Sequence, residues 1–135
     1  ALQYLMDKGV LDKRQERATY TTFLASTFRT LRFGLTEAHA RGMALQVNNL
    51  LDHGAIRIAR DGTFSLDIGK TKRAVTDLTH EIMTLQAHGD YAGARALTER
   101  MVVIRPEMRR MLDKPKDVPV DIAPQLVTAA ELTEQ

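Results

Sequence analysis

Aspartate and glycine punctuate this chain so closely that it has room for short helices and little else. Gly9, Gly54 and Gly89 each end an apolar run whose spacing is that of a helix, and Phe33-Gly34 interrupts another. Asp12, Asp67 and Asp90 each precede such a run, where a carboxylate accepts from the free N–H groups of a first turn. Pro106 is suited to the first position of a further helix. Residues 1–8 then read as the tail of a helix. A second helix is expected at about Lys13–Arg32, burying Tyr20, Phe23, Leu24, Thr27, Phe28 and Leu31. Thr36 is expected to cap a third, running to about His53, with Ala38, Met43, Val47, Leu50 and Leu51 available for burial. A fourth at about Ile68–His88 aligns Val75, Leu78, Ile82 and Leu85; a fifth takes Tyr91–Met101, and a sixth runs from Pro106 to about Leu112.

Between the third and fourth helices the period changes. Residues 55–60 and 63–66 alternate apolar and polar about Asp61-Gly62, which predicts a β-hairpin that must pack on neighbouring structure to persist. The fold class is therefore mainly α, a bundle of about five or six helices with one small β-hairpin at about 55–67. Residues 1–135 read as a single domain. The stretch 114–135, with three prolines by residue 124, reads as an extended tail, with a final helical turn at residues 127–134. Because the chain opens inside a helix with neither an initiator Met nor a cap, it reads as the C-terminal fragment of a larger protein.

Composition removes several functional classes. A net charge of +2, from 19 basic and 17 acidic residues, is too small to argue for nucleic acid. The basic residues of the last third (Arg95, Arg100, Arg105, Arg109, Arg110, Lys114 and Lys116) are interleaved with Glu99, Glu107, Asp113 and Asp117, as on a solvated, salt-bridged surface. The chain has no cysteine, which excludes disulfides and thiolate zinc and suits the cytoplasm. No run approaches the roughly 18 apolar residues of a membrane span. Neither a Cys–His nor a Ser–His–Asp arrangement can be built, no glycine loop suits phosphate, and the Glu-rich Nudix box is absent.

Of the four histidines, His53 and His88 stand directly before stop glycines, where a cap role at the negative end of the helix dipole accounts for both. His80-Glu81 lacks the second His four or five residues on that a zinc-peptidase helix needs, and it lies across the helix from the apolar stripe. His39 differs. It lies early in the third helix, flanked by Glu37 and Arg41, with Arg29 and Arg32 approaching across the Gly34 joint. A His so placed could donate a hydrogen bond to a developing oxyanion; the plainer reading is a half-buried His amid ordinary surface ion pairs.

The blocks F-R-T-L-R-F-G-L-T-E-A-H-A-R-G-M-A-L-Q, L-L-D-H-G-A, D-G-T-F-S-L-D, T-H-E-I-M-T-L-Q-A-H-G-D-Y-A-G-A and V-P-V-D-I-A-P resemble, in order, the C-terminal part of the dipeptidyl peptidase III family of zinc metallopeptidases. The match is nearest a bacterial branch, and relatives of this region are sometimes fused to, or labelled after, Nudix hydrolases. The resemblance implies metal-assisted peptide hydrolysis in the parent protein, with the zinc motifs H-E-x-x-G-H and E-E-x-x-(K/R)-A-D upstream of this segment. It implies zinc in the parent, no cofactor in this fragment, and a cleft-lining, non-catalytic role for the fragment itself. It also matches Ala38-His39 to an A-H pair whose His stabilises the transition state. Glu37, Arg41, Arg29 and Arg32 are the supporting candidates, and Met43 stands where the family places an Arg. The implied partners are the remainder of the same polypeptide and, in the parent, a peptide substrate, with neither nucleic acid nor membrane. The alternative is a helical interaction or structural module of a Nudix-labelled protein with no peptidase role.

Overall fold

A computed structural model describes residues 2–114. In chain order it contains α1 (Leu2–Asp7), a 3-10 turn (Lys13–Gln15), α2 (Glu16–Leu31), α3 (Ala38–Asp52), β1 (Ile56–Ile58), β2 (Phe64–Leu66), α4 (Ile68–Ala87), α5 (Tyr91–Met101) and α6 (Pro106–Asp113). The described residues thus form a mainly α bundle with one antiparallel hairpin, as the punctuation predicts. None of their helices is long and apolar enough to cross a membrane. Apart from Lys114, which closes α6, the expected tail at 114–135 lies outside the described residues.

The aspartates act as caps. Asp12 accepts from the Arg14 N–H, Asp67 from that of Lys70 and Asp90 from that of Gly93. The expected second helix is divided, because the turn capped by Asp12 closes as a 3-10 turn before α2 begins at Glu16. Thr36 does not cap α3. Glu37 occupies the N-cap position in extended conformation, and its carboxylate bonds to no first-turn N–H. At the other end of α3, Gly54 (φ +60°) donates to the Leu51 carbonyl and Ala55 to that of Leu50, the paired closure that a left-handed residue permits.

Helix α3 is the axis of the fold, packing against α2, α4, α5 and β1. Leu24, Phe28 and Leu31 from α2 meet Ala44, Val47 and Leu50 from α3, and Ile56, Ala74, Met108 and Met111 close the same core. Burial of each large side chain here contributes about 1.5–3 kcal/mol. Two buried asparagines interrupt this apolar contact. The Asn48 side-chain amide donates to the carbonyls of Met101 (2.7 Å) and Val103 (2.8 Å), and that of Asn49 donates to Ala74 (2.9 Å). Unlike α3 and α4, α5 ends without a glycine, so its terminal carbonyls need partners from elsewhere. The Val102 N–H serves the Thr98 carbonyl, and Asn48 serves that of Met101 together with the Val103 carbonyl in the segment that follows.

The hairpin pairs Ile56 with Leu66 and Ile58 with Phe64, and Asp67 N–H to the Ala55 carbonyl (2.8 Å) closes its base. Its turn is wider than the two-residue turn that Asp-Gly predicts. Gly62 donates to Ala59, Ala59 donates to Thr63, and Gly62 alone of the loop has positive φ (+78°). This is the pattern of a three-residue loop with a glycine bulge. A Cβ on Gly62 would lie 2.9 Å from the Arg110 carbonyl, so the bare glycine also lets the hairpin reach α6. The Phe28 and Phe64 rings meet at 5.6 Å, holding β2 against α2. The hairpin therefore rests on helices within the chain.

Arg105, at the N-cap of α6, forms a two-pronged ion pair with Asp52, the last residue of α3. The Arg105 hydrogen bond holds the Asp52 carboxyl below its usual range, outweighing the opposing effect of partial burial.

Asn48→Ala is expected to cost about 2–4 kcal/mol, a fall in Tm on the order of 10 °C, because buried carbonyls lose their donor. Asn48→Asp should cost more, since it sets a carboxylate against the same oxygens; urea denaturation of both variants checks the order. Asp52 gives a second expectation. A carboxyl whose folded pKa is lowered contributes stability above the unfolded value of about 3.9, and loses it as pH falls through the folded value. Half-exposure limits that contribution to less than about 1 kcal/mol. The stability gap between the protein and Asp52→Asn should therefore close below about pH 4, and a gap of constant size would exclude the ion pair as its cause.

Candidate functional site at the start of α3

Helix α2 ends through bonds from Arg32 to Phe28, Phe33 to Thr30 and Gly34 to Leu31. Gly34 takes the left-handed conformation (φ +85°), Phe33 is left exposed, and Leu35 packs onto the core. The short connection through residues 32–37 turns the chain back, so the last turn of α2 and the first turn of α3 lie at one end of the helix pair. Arg29, Arg32, Glu37, His39 and Arg41 are all carried at that end.

Their orientations differ. His39, in the first turn of α3, is exposed, and its imidazole makes no hydrogen bond or ion pair among the described residues. It shares a helical face with Gly42, Met43 and Gln46, at three-, four- and seven-residue steps. Gln46 donates to the Gly42 carbonyl (3.2 Å) and lies 4.0 Å from the Met43 sulfur, while Met43 is half-buried against the core. Arg41, two residues beyond His39, projects from the far side of the helix and is exposed. Arg29 is exposed on the last turn of α2. Arg32 is half-buried and lines a depression with Phe33, Leu35, Ile104 and Arg109, on the α6 side of the joint. The N-cap position of Glu37 leaves the first-turn amides of α3 without a side-chain acceptor, so their partial positive charge remains available beside His39.

Following the His39 face along α3 leads into an open apolar trough against α4. One depression, of about 250 Å³, is lined by Gly42, Leu45, Gln46, Val75 and Ile82. Another, of about 420 Å³, continues past Leu45 and Ile82 to Leu85, Tyr91 and Ala94. Neither the trough nor the buried asparagines were expected from the sequence, although an Asn-Asn pair inside an apolar helical run was a visible signal for the latter.

The remaining histidines have structural placements. His53 is the C-cap of α3, its Nδ1 2.8 Å from the Asn49 carbonyl and its Nε2 3.6 Å from Asp77; His88 is the C-cap of α4, and His80 is exposed. Among the described residues no three His, Asp or Glu side chains converge in a way that could hold a metal ion.

No family model matches the chain. Over 98% of its length it is 51% identical to the dipeptidyl peptidase III of Corallococcus sp. strain EGB, superposing with a TM-score of 0.84. It is 36% identical to the DPP III of Caldithrix abyssi over 97% of its length, with a TM-score of 0.85. In both cases it spans only 25% of the other chain. It is also 42% identical over 134 residues to Nudix hydrolase 3 of Arabidopsis thaliana, of which it spans 17%. The resemblance to a segment of dipeptidyl peptidase III thus holds in sequence and in fold, and a Nudix-named relative is similar to the same segment.

Because the His39 side chain is exposed and unbonded, His39→Ala should leave the stability of this chain within about 0.5 kcal/mol of its starting value. A larger loss in thermal denaturation would assign His39 a packing role instead.

Proposed function

We propose that this chain is the cleft-lining helical part of a zinc-dependent peptidase of the dipeptidyl peptidase III type, and that His39 is its contribution to the chemistry. The observation that carries this reading is the 51% identity to a solved dipeptidyl peptidase III across 98% of the chain, together with the open placement of His39 on the first turn of α3. The described residues do not fit a zinc site. Zinc and its ligands belong, on this reading, to the remainder of the polypeptide. There the metal would supply polarisation of the scissile carbonyl and activation of water.

What this chain supplies is a donor held on a rigid element. As the peptide carbonyl becomes tetrahedral, negative charge grows on its oxygen. The imidazole N–H of His39 donates to that oxygen, and the uncapped amides of the α3 first turn lower the cost of the charge. His39 does not need to move to do so, because α3 is anchored by its buried face at the adjacent Ala40 and, just over a turn on, at Ala44. Met43 packs inward, so it leaves the surface beside His39 uncharged. Arg29 and Glu37 set the charge around the cleft wall, while Arg41 projects away from it. The proposed setting is cytoplasmic, with a peptide as the substrate. The likeness to a Nudix-named plant protein favours, as the second reading, a helical module without peptidase activity.

In the longer polypeptide, His39→Ala should lower kcat by about 10²–10³-fold, with KM and bound zinc little changed. Unaltered kcat would remove His39 from the mechanism and favour the second reading.

A further inference from the structure

We infer that the trough between α3 and α4, continued past the start of α5, is the seat of an apolar helix from the remainder of the longer polypeptide. The inference rests on the reading that this chain is one part of such a polypeptide.

The first observation is a stripe with core spacing and no cover. Val75, Leu78, Ile82 and Leu85 recur along α4 as a buried face should, yet only Leu78 is buried, and Val75 remains 39% exposed. The second is continuity. The two depressions share Leu45 and Ile82, so they form one trough along α4 from Val75 to Gln86. At a rise of about 1.5 Å per residue, those eleven steps span about 17 Å, the length of about three helical turns. Helices wall the trough on both sides, the geometry in which a further helix seats its side chains.

The chemistry of the walls selects the occupant. Asp90 is the one charged residue among those lining the trough, and its carboxylate is already bonded to the Gly93 N–H. Nothing there suits a phosphate or an acidic headgroup, and walls made mainly by Leu45, Val75, Ile82 and Leu85 suit an apolar helix face. The source follows from length. The solved relatives are about four times as long as the segment this chain matches, so most of their polypeptide lies outside it. Because the trough begins on the His39 face, a helix seated there lies beside the proposed catalytic residue.

Thiol labelling tests this directly, because the chain has no native cysteine. Tyr91 lines the trough at 79% exposure, and Met83, at 60% exposure, is not among its lining residues and serves as the control. Tyr91→Cys and Met83→Cys are made in the 135-residue chain and in the longer polypeptide, and maleimide uptake is read by peptide mapping. Both sites should label quickly in the isolated chain. In the longer polypeptide, position 91 should label at least about 100-fold more slowly while position 83 stays reactive, a factor of about 10² in local opening. Equal labelling of position 91 in both settings overturns the inference. So does protection already present in the isolated chain with sedimentation as a dimer, which would make a second copy the occupant. Zinc-dependent release of dipeptides by the unsubstituted longer polypeptide reports separately on the reading beneath. Its absence sinks the peptidase assignment, whereas labelling reports the seat.

Discussion

The Asn48 amide, buried in the middle of α3, is the contact on which the rest of the arrangement depends. It donates to the last carbonyl of α5, that of Met101, and to that of Val103 two residues beyond, after a helix that has no glycine to close it. A carbonyl left bare in the core costs about 1–3 kcal/mol, so the amide settles where α5 ends and how far from α3 it lies. One residue on, Asn49 does the same for α4 through the Ala74 carbonyl. Asp52 then receives Arg105, and Gly54 turns the chain into the hairpin. Successive positions along one helix thus connect α3 to α5, α4, α6 and β1 in turn.

That concentration of contacts has a functional consequence. The C-terminal half of α3 is held by polar bonds as well as by packing, while its first turn bears exposed Glu37, His39 and Arg41. A side chain that stabilises a transition state must be placed to within a fraction of an ångström, and a helix anchored in a core provides such placement better than a loop does. His39 has that support without itself contributing to packing. The same face of α3 opens into the trough along α4, so the proposed substrate surface and the proposed seat of a covering helix adjoin each other.

Local chemistry was the legible part of the sequence. Asp67 and Asp90 cap where they are expected, α5 has the expected bounds, and Pro106 opens α6, because each signal acts within a turn of itself. Where two local signals compete, the nearer one did not always prevail. Thr36 is an ordinary cap residue, but Leu35 packs on the core and Glu37 takes the extended N-cap conformation, so the helix starts after Glu37. Asp61-Gly62 marks the turn correctly, yet the loop is wider, because Gly62 must lie against the α6 backbone at Arg110.

Burial was legible in α2 and less so in α3 and α4. Ala38 was expected inside and is exposed, while Ala40 and Ala44 are buried instead. The apolar stripe of α4 has the spacing of a core face, but only what packs against a face decides whether it is covered. By itself, the sequence determined the course of the helices, the aspartate caps, the hairpin and the family resemblance, since these rest on bonds between residues close in the chain and on recognisable blocks. The tertiary structure alone decided which carbonyls Asn48 and Asn49 serve, which side of α3 carries His39, and that Val75, Ile82 and Leu85 form a trough. Those outcomes depend on contacts between residues tens of positions apart, whose geometry no local period encodes.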